Sequence, residues 1–193
     1  MFVSTVLNMN SLENAIALAT RVHTGQTDKA GETYILHPLR VMLKVHALNG
    51  TLEQQIAAVL HDTVEDTNVT LKSFSRKFSW DIVEMVDALT RPLNMPYEDY
   101  ITQKVLKCSS ARLIKWADLQ DNLSRIPKLR LLGLNEDADR LSKKYHRGLE
   151  LLLGNDLERI IETNVVDQIS CGWYGGTFIE LGAPASAALT GPS

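Results

Sequence analysis

Residues 57–66 read AAVLHDTVED, so four apolar residues run straight into a histidine, two aspartates and a glutamate. Charges set at the end of a buried face are expensive unless they pair with each other or with a metal. Residues four apart stack on one face of an α-helix. That spacing predicts two ridges, His61 beneath Glu65 and Asp62 beneath Asp66, one able to hold a cation and the other to work on a water. The C-terminal end of a helix carries partial negative charge, which disfavours bare carboxylates there and favours a cation among them. Acids that close a helix are also commonly just solvated, and this stretch alone leaves both readings open.

Two distant positions add to the set. His37 follows the apolar Tyr34-Ile35-Leu36 and opens a helix, where histidine has no special value as a cap. Asp118 interrupts LIKWADLQDNL, in which Leu113, Ile114, Ala117 and Leu119 are expected to pack inward, so its carboxylate is directed at or beside the core. Two imidazoles and two carboxylates from three helices make a set of nitrogen and oxygen ligands. The two cysteines, Cys108 and Cys171, form no CxxC pair, which argues against a thiolate site or a disulfide framework. Imidazole with carboxylate suits Mn²⁺, Fe²⁺ or Zn²⁺. Four protein ligands leave room for water or substrate only if the ion exceeds four-coordination, which favours Mn²⁺ or Fe²⁺ over a closed zinc site.

The elements that must position these groups are helical by apolar spacing. Leu12, Ala15, Ile16, Ala19 and Val22 share a face, and Asn10 with Glu13 reads as a capping-box start. His37-Pro38 reads as the entry to a helix that runs to about Leu48 and stops at Asn49-Gly50. Thr51 and Gln54 form a second capping box, opening the helix that carries AAVLHDTVED. Further helices are predicted at about 70–78, 80–90, 97–108, 110–125 and 136–153, with Pro92 and Pro96 marking a loop and Trp80 and Trp116 assigned to the core. No stretch alternates with period two, so the class is all-α, a single-domain multi-helix bundle. The expected division is a catalytic domain at 1–155 and a Gly- and Ala-rich C-terminal extension at 156–193, partly flexible, whose Trp173, Tyr174 and Phe178 are able to dock.

At 193 residues the chain is long enough to bury a core, and its formal net charge of −3 comes with no Lys/Arg stripe. A small molecule is therefore expected as partner, rather than a nucleic acid or a membrane, and a homo-oligomer is compatible with the pattern. The first residues lack a basic region and an apolar run of signal-peptide length, so the expected location is cytoplasmic.

Three segments, RVHTGQTDKAGETYILHP, VLHDTVEDT and IKWADLQDNL, occur in that order. They resemble the HD-domain phosphohydrolases, specifically the hydrolase domain of Rel/SpoT-type alarmone enzymes and the stand-alone small alarmone hydrolases, over roughly residues 10–153. The resemblance implies that His37, His61, Asp62 and Asp118 hold one Mn²⁺ and that Glu65 and Asp66 are the catalytic pair that activates water and assists the leaving group. It also implies that Asn122 touches the ribose, that Lys29 stands at the pocket rim, and that His23 lines the pocket. The implied reaction removes the 3′-pyrophosphate of guanosine 3′,5′-bispyrophosphate (ppGpp) or its pentaphosphate form (pppGpp), giving GDP or GTP. The long relatives also carry a synthetase domain, for which this chain has no length, so degradation within stringent signalling is the expected role.

Two positions depart from the family pattern. Asp28 stands where many members have an arginine thought to stack on guanine, and an acid offers no planar cationic face. Leu119 and Asp121 replace an arginine and a histidine. Base preference is therefore open to change. The alternatives are an HD-type phosphatase acting on a deoxynucleotide 5′-phosphate or the 2′-phosphate of NADPH, and a non-catalytic nucleotide-binding module. Of the remaining cations, Lys104, Arg112, Arg140, Lys143 and Lys144 are candidate phosphate contacts, and Tyr97 and Tyr100 serve either core or pocket.

Overall fold

Most of the chain's helix boundaries follow from local chemistry. The computed structural model describes residues 10–154. The extension at 156–193, with its aromatic residues and Cys171, lies outside them.

Helix α1 spans Leu12–Val22, and its cap is Ser11, whose hydroxyl accepts from the Asn14 N–H. The expected Asn10/Glu13 box does not form, because the Asn10 side chain is used elsewhere, accepting from the Ser79 N–H at 2.8 Å. After a loop with an isolated bridge between Thr27 and Thr33, α2 spans Leu36–Ala47. It starts before Pro38, leaving His37 in the first turn. Asn49 at φ 57° takes the left-handed conformation that asparagine tolerates. The Gly50 N–H then returns to the Val45 carbonyl at 2.9 Å. A Cβ on Gly50 would collide with the Val45 side chain, so a glycine is needed there.

Helix α3 spans Leu52–Leu60 behind the Thr51/Gln54 capping box. It ends at Leu60, short of the Asp66 that the sequence predicts. The Leu60 carbonyl accepts from both the N–H and the hydroxyl of Thr63. A side-chain hydroxyl competing for a backbone acceptor tightens the turn in this way. Residues 61–65 are therefore turns, yet the Asp66 N–H still reaches the Asp62 carbonyl at 2.9 Å and the two carboxylates stay neighbours, while Glu65 is drawn to the Arg91 N–H.

Helices α4 (Leu71–Phe74), α5 (Trp80–Leu89) and α6 (Tyr97–Gln103) follow, then a 3₁₀ turn at Val105–Lys107. Helix α7 spans Ser109–Ser124, α8 Ile126–Leu131 and α9 Asn135–Leu153. Helix α8 was not anticipated: it is short, and Pro127 near its start reads equally as a loop signal. Trp80 also overturns expectation. It is 74% exposed at the start of α5, where its apolar bulk meets solvent, whereas Trp116 packs against the core.

No strand occurs among the described residues, and the fold is an all-α bundle. Helix α3 lies at its centre, with Ile56 through Leu60 all buried, touching α1, α2, α5 and α7. Helix α7 packs in turn on α2 and α9. The elements that carry His37, His61 and Asp118 therefore meet in one place. Among the described residues, no helix is long and apolar enough to cross a membrane.

Candidate active site

His37 comes from the first turn of α2, His61 and Asp62 from the end of α3, and Asp118 from the middle of α7. His37, His61 and Asp118 each offer a ligand atom within 4.8 Å of the others, and all three are buried. The fourth residue joins them, since Asp62 Oδ2 lies 3.0 Å from His61 Nε2 and 3.6 Å from His37 Nε2. His37 Nε2 is 3.2 Å from Asp118 Oδ1. Donor atoms around one divalent ion with bonds near 2.1 Å stand roughly 3 to 4 Å apart, so the spacing fits such an ion.

The hydrogen bonds behind these atoms fix which lone pairs face inward. His61 Nδ1 donates to the Ala58 carbonyl at 2.8 Å, which leaves Nε2 as an acceptor. That Nε2 is buried and has no hydrogen-bond partner. A lone pair facing carboxylate oxygens is repulsive unless a cation lies between them, so the donor set fits a metal. His37 is held the same way, with Nδ1 2.9 Å from Asp121 Oδ2, the carboxylate–histidine arrangement usual behind metal ligands. Asp118 is oriented by Lys115 Nζ at 2.8 Å and by Asn122 Nδ2 at 2.5 Å.

The field here is strongly negative. Burial opposes a charged His37, but Asp118 and Asp121 outweigh it and raise its pKa to about 10. Burial also opposes a charged His61, and Asp62 outweighs it, raising that pKa as well. Burial pushes the Asp118 carboxyl up, yet Lys115 and His37 overcome it and hold the group well below the usual range. Without a metal, the carboxylates would draw protons onto both imidazoles.

Glu65 and Asp66 border the same cavity, of about 320 Å³, as do Lys29 and Asn122. Glu65 Oε2 accepts from the Arg91 N–H at 2.8 Å. Partial desolvation, then the charge of Asp62, raise the Glu65 and Asp66 pKa values, although backbone and Tyr34 hydrogen bonds pull the other way. Lys29 is half exposed and pairs with Asp137 at 3.4 Å. His23 does not border the cavity. It is buried behind Tyr34, ring centroids 4.9 Å apart, with Nδ1 2.7 Å from Gln26 Oε1.

Sequence reasoning missed Tyr34, Asp121 and Arg40. The Tyr34 hydroxyl lies 2.5 Å from Asp62 Oδ2 and 3.0 Å from Asp66 Oδ2, bridging a ligand and a catalytic candidate. Asp121 accepts from His37, Arg40 and Lys44. A signal for this existed, because positions 37, 40 and 44 share one face of a helix. Asp28 is a loop anchor: its Oδ1 accepts from the N–H groups of Ala30 and Glu32, and its Oδ2 meets Arg125 at 3.3 Å. Among the other candidate cations, Lys144 borders the cavity, whereas Lys104 pairs with Asp87, Arg112 donates to the Leu106 carbonyl and Arg140 pairs with Asp137.

The sequence profile of the HD domain matches residues 15–129. A guanosine-3′,5′-bis(diphosphate) 3′-pyrophosphohydrolase from Aquifex aeolicus is 32% identical over 122 residues, 60% of this chain and 18% of that protein. The bifunctional (p)ppGpp synthase/hydrolase SpoT of Escherichia coli is 30% identical over 110 residues, 57% of this chain and 15% of that protein. The chain thus spans less than a fifth of the length of these relatives. A solved structure of a metazoan SpoT ortholog that hydrolyses ppGpp superposes with a TM-score of 0.63 at 21% identity, covering 80% of this chain and 96% of that one, a likeness of fold.

Proposed function

The chain belongs to the HD-domain family, and from that premise we propose that it is a metal-dependent 3′-pyrophosphohydrolase of alarmone nucleotides, acting on ppGpp and pppGpp in the cytoplasm through residues 1–155. The observation that carries the reading is His61 Nε2, buried, unpartnered and facing the carboxylates of Asp62 and Asp118. His37, His61, Asp62 and Asp118 would hold one Mn²⁺. The curated relatives named for this activity support the substrate class. When bound, the ion would supply neutralisation of phosphate charge and acidification of water.

The chain's own residues do the rest. Glu65 is pinned through Oε2 by the Arg91 N–H, which leaves Oε1 to take a proton from the attacking water. Its raised pKa makes it a stronger base than an ordinary exposed carboxylate. Asp66, held by the Tyr34 hydroxyl, stands ready to protonate the departing ribose 3′-oxygen. Asn122 and Lys29 border the cavity where ribose and phosphate would lie. With four protein ligands and room for substrate, Mn²⁺ is preferred to a closed zinc site.

Purified protein loaded with Mn²⁺ should release pyrophosphate from ppGpp, and Glu65→Ala or Asp66→Ala should slow this by about 10² to 10⁴. A fully metal-loaded protein that releases nothing would sink the proposal. Release of orthophosphate from other nucleotides would favour the phosphatase reading, which Asp28 keeps alive because its carboxylate is committed to the loop and to Arg125.

A further inference from the structure

The cavity that holds the metal-ligand residues is also bordered by Arg91, Lys115 and Lys144, from the loop after α5, from α7 and from α9. Lys115 is matched by Asp118. Neither Lys144 nor the Arg91 side chain pairs with a carboxylate among the described residues. Lys144 Nζ lies 4.7 Å from the Tyr97 ring centroid and 5.7 Å from that of Tyr145. Aromatic faces attract an ammonium but accept none of its hydrogen bonds in full, so its three donors remain for a ligand. Tyr97 borders the same cavity with its ring, while its hydroxyl is buried against Gly148. Burial, then the charges of Lys115 and Arg91, lower the Lys144 pKa. Like charges gathered at a half-buried place raise the free energy of the empty protein, and a polyanion relieves it.

We propose that Lys144 and Arg91 seat the terminal phosphate of the substrate's 3′-diphosphate, and so select a diphosphate over a monophosphate at that position. The inference rests on the hydrolase reading and extends it. Position decides between the two ends of the nucleotide. The Arg91 N–H holds Glu65 and Lys115 holds Asp118, so these cations stand beside the groups that act on the scissile phosphorus. The phosphate one bridge away is the 3′ terminal one, whereas the 5′-phosphates are a ribose further off. Hydrolysis breaks the bond between phosphorus and the 3′-oxygen and forms one between phosphorus and the water oxygen. One water proton goes to Glu65, Asp66 gives its proton to the ribose 3′-oxygen, and the diphosphate leaves whole from its cationic seat.

Calorimetry of the full-length, Mn²⁺-loaded protein with inorganic pyrophosphate tests the seat without turnover. Lys144→Met should weaken binding by roughly tenfold, the loss of one charge-assisted hydrogen bond. Lys144→Arg should restore most of it. With nucleotides that share the same 5′ groups, Lys144→Met should raise KM about tenfold for the 3′-diphosphate and leave the 3′-monophosphate unchanged. Wild-type pyrophosphate affinity in both Lys144→Met and Arg91→Met would overturn the proposal, as would an equal penalty on both nucleotides. Pyrophosphate affinity that depends on Lys144 in a protein that hydrolyses neither nucleotide would uphold the diphosphate seat while removing the activity reading.

Discussion

Asp121 and Lys144 are charged groups around one site, and they are treated in opposite ways. Asp121, with no exposed side-chain surface, is met by His37, Arg40 and Lys44, three cation-capable groups along one face of α2. Lys144 is met by two aromatic rings and by the repulsion of its cationic neighbours. The first charge is satisfied inside the protein and holds a ligand histidine in place. The second is unsatisfied until something arrives. Removing each should therefore have different consequences, even though both substitutions delete one charge near the same cavity.

The largest effect is expected from Asp121→Asn. It leaves Arg40 and Lys44 without their carboxylate, and because both are about a third exposed the loss should be about 2 kcal/mol, below the range for a fully buried pair. Urea denaturation measures it. The same change loosens His37, so Mn²⁺ affinity should fall by about 10- to 100-fold. Unchanged stability would erase the contrast with Lys144.

A pH series sharpens the comparison from the acidic side. In metal-free protein the His37 pKa rises from 6.5 to about 10 through Asp118 and Asp121, against burial. A folded-state pKa above the unfolded value means that the stabilisation is complete below pH 6.5 and is lost as pH rises through about 10. Chelator-treated protein should therefore lose up to about 1.4 kcal/mol per pH unit per proton across that window. Mn²⁺-loaded protein, with His37 already neutral, should lack this slope, and parallel curves for the two forms would contradict the assignment.

The smallest effect belongs to Lys144→Met in the absence of ligand. No ion pair is broken and some repulsion is relieved, so stability should stay within about 0.5 kcal/mol of wild type or rise. A clear loss in thermal or chemical denaturation would mean that Lys144 is structural after all.

The sequence made some of this legible and hid the rest for identifiable reasons. Capping at Thr51 and the stop at Asn49-Gly50 depend on neighbours within a few residues, and both occur where local chemistry puts them. His37, His61, Asp62 and Asp118 come together because apolar spacing already assigned their helices to one core. Asp121 was overlooked because its partners lie 77 to 84 residues away. Tyr34 looked like part of an apolar run, and only the fold carries its hydroxyl to Asp62 and Asp66. The end of α3 was misplaced because the decisive group, the Thr63 hydroxyl, acts on a carbonyl three residues earlier, below the resolution of any periodicity argument.

That threonine has a consequence for how much work a short segment can do. Had the helix continued, His61 would have stacked under Glu65 and Asp62 under Asp66, with Thr63 and Val64 on the far side. With the spiral released after Leu60, His61 returns beneath its own last turn, Asp62 reaches toward α2, Glu65 toward the end of α5 and Asp66 toward the loop before α2. A single hexapeptide thereby addresses four directions, and one alcohol group sets the fan.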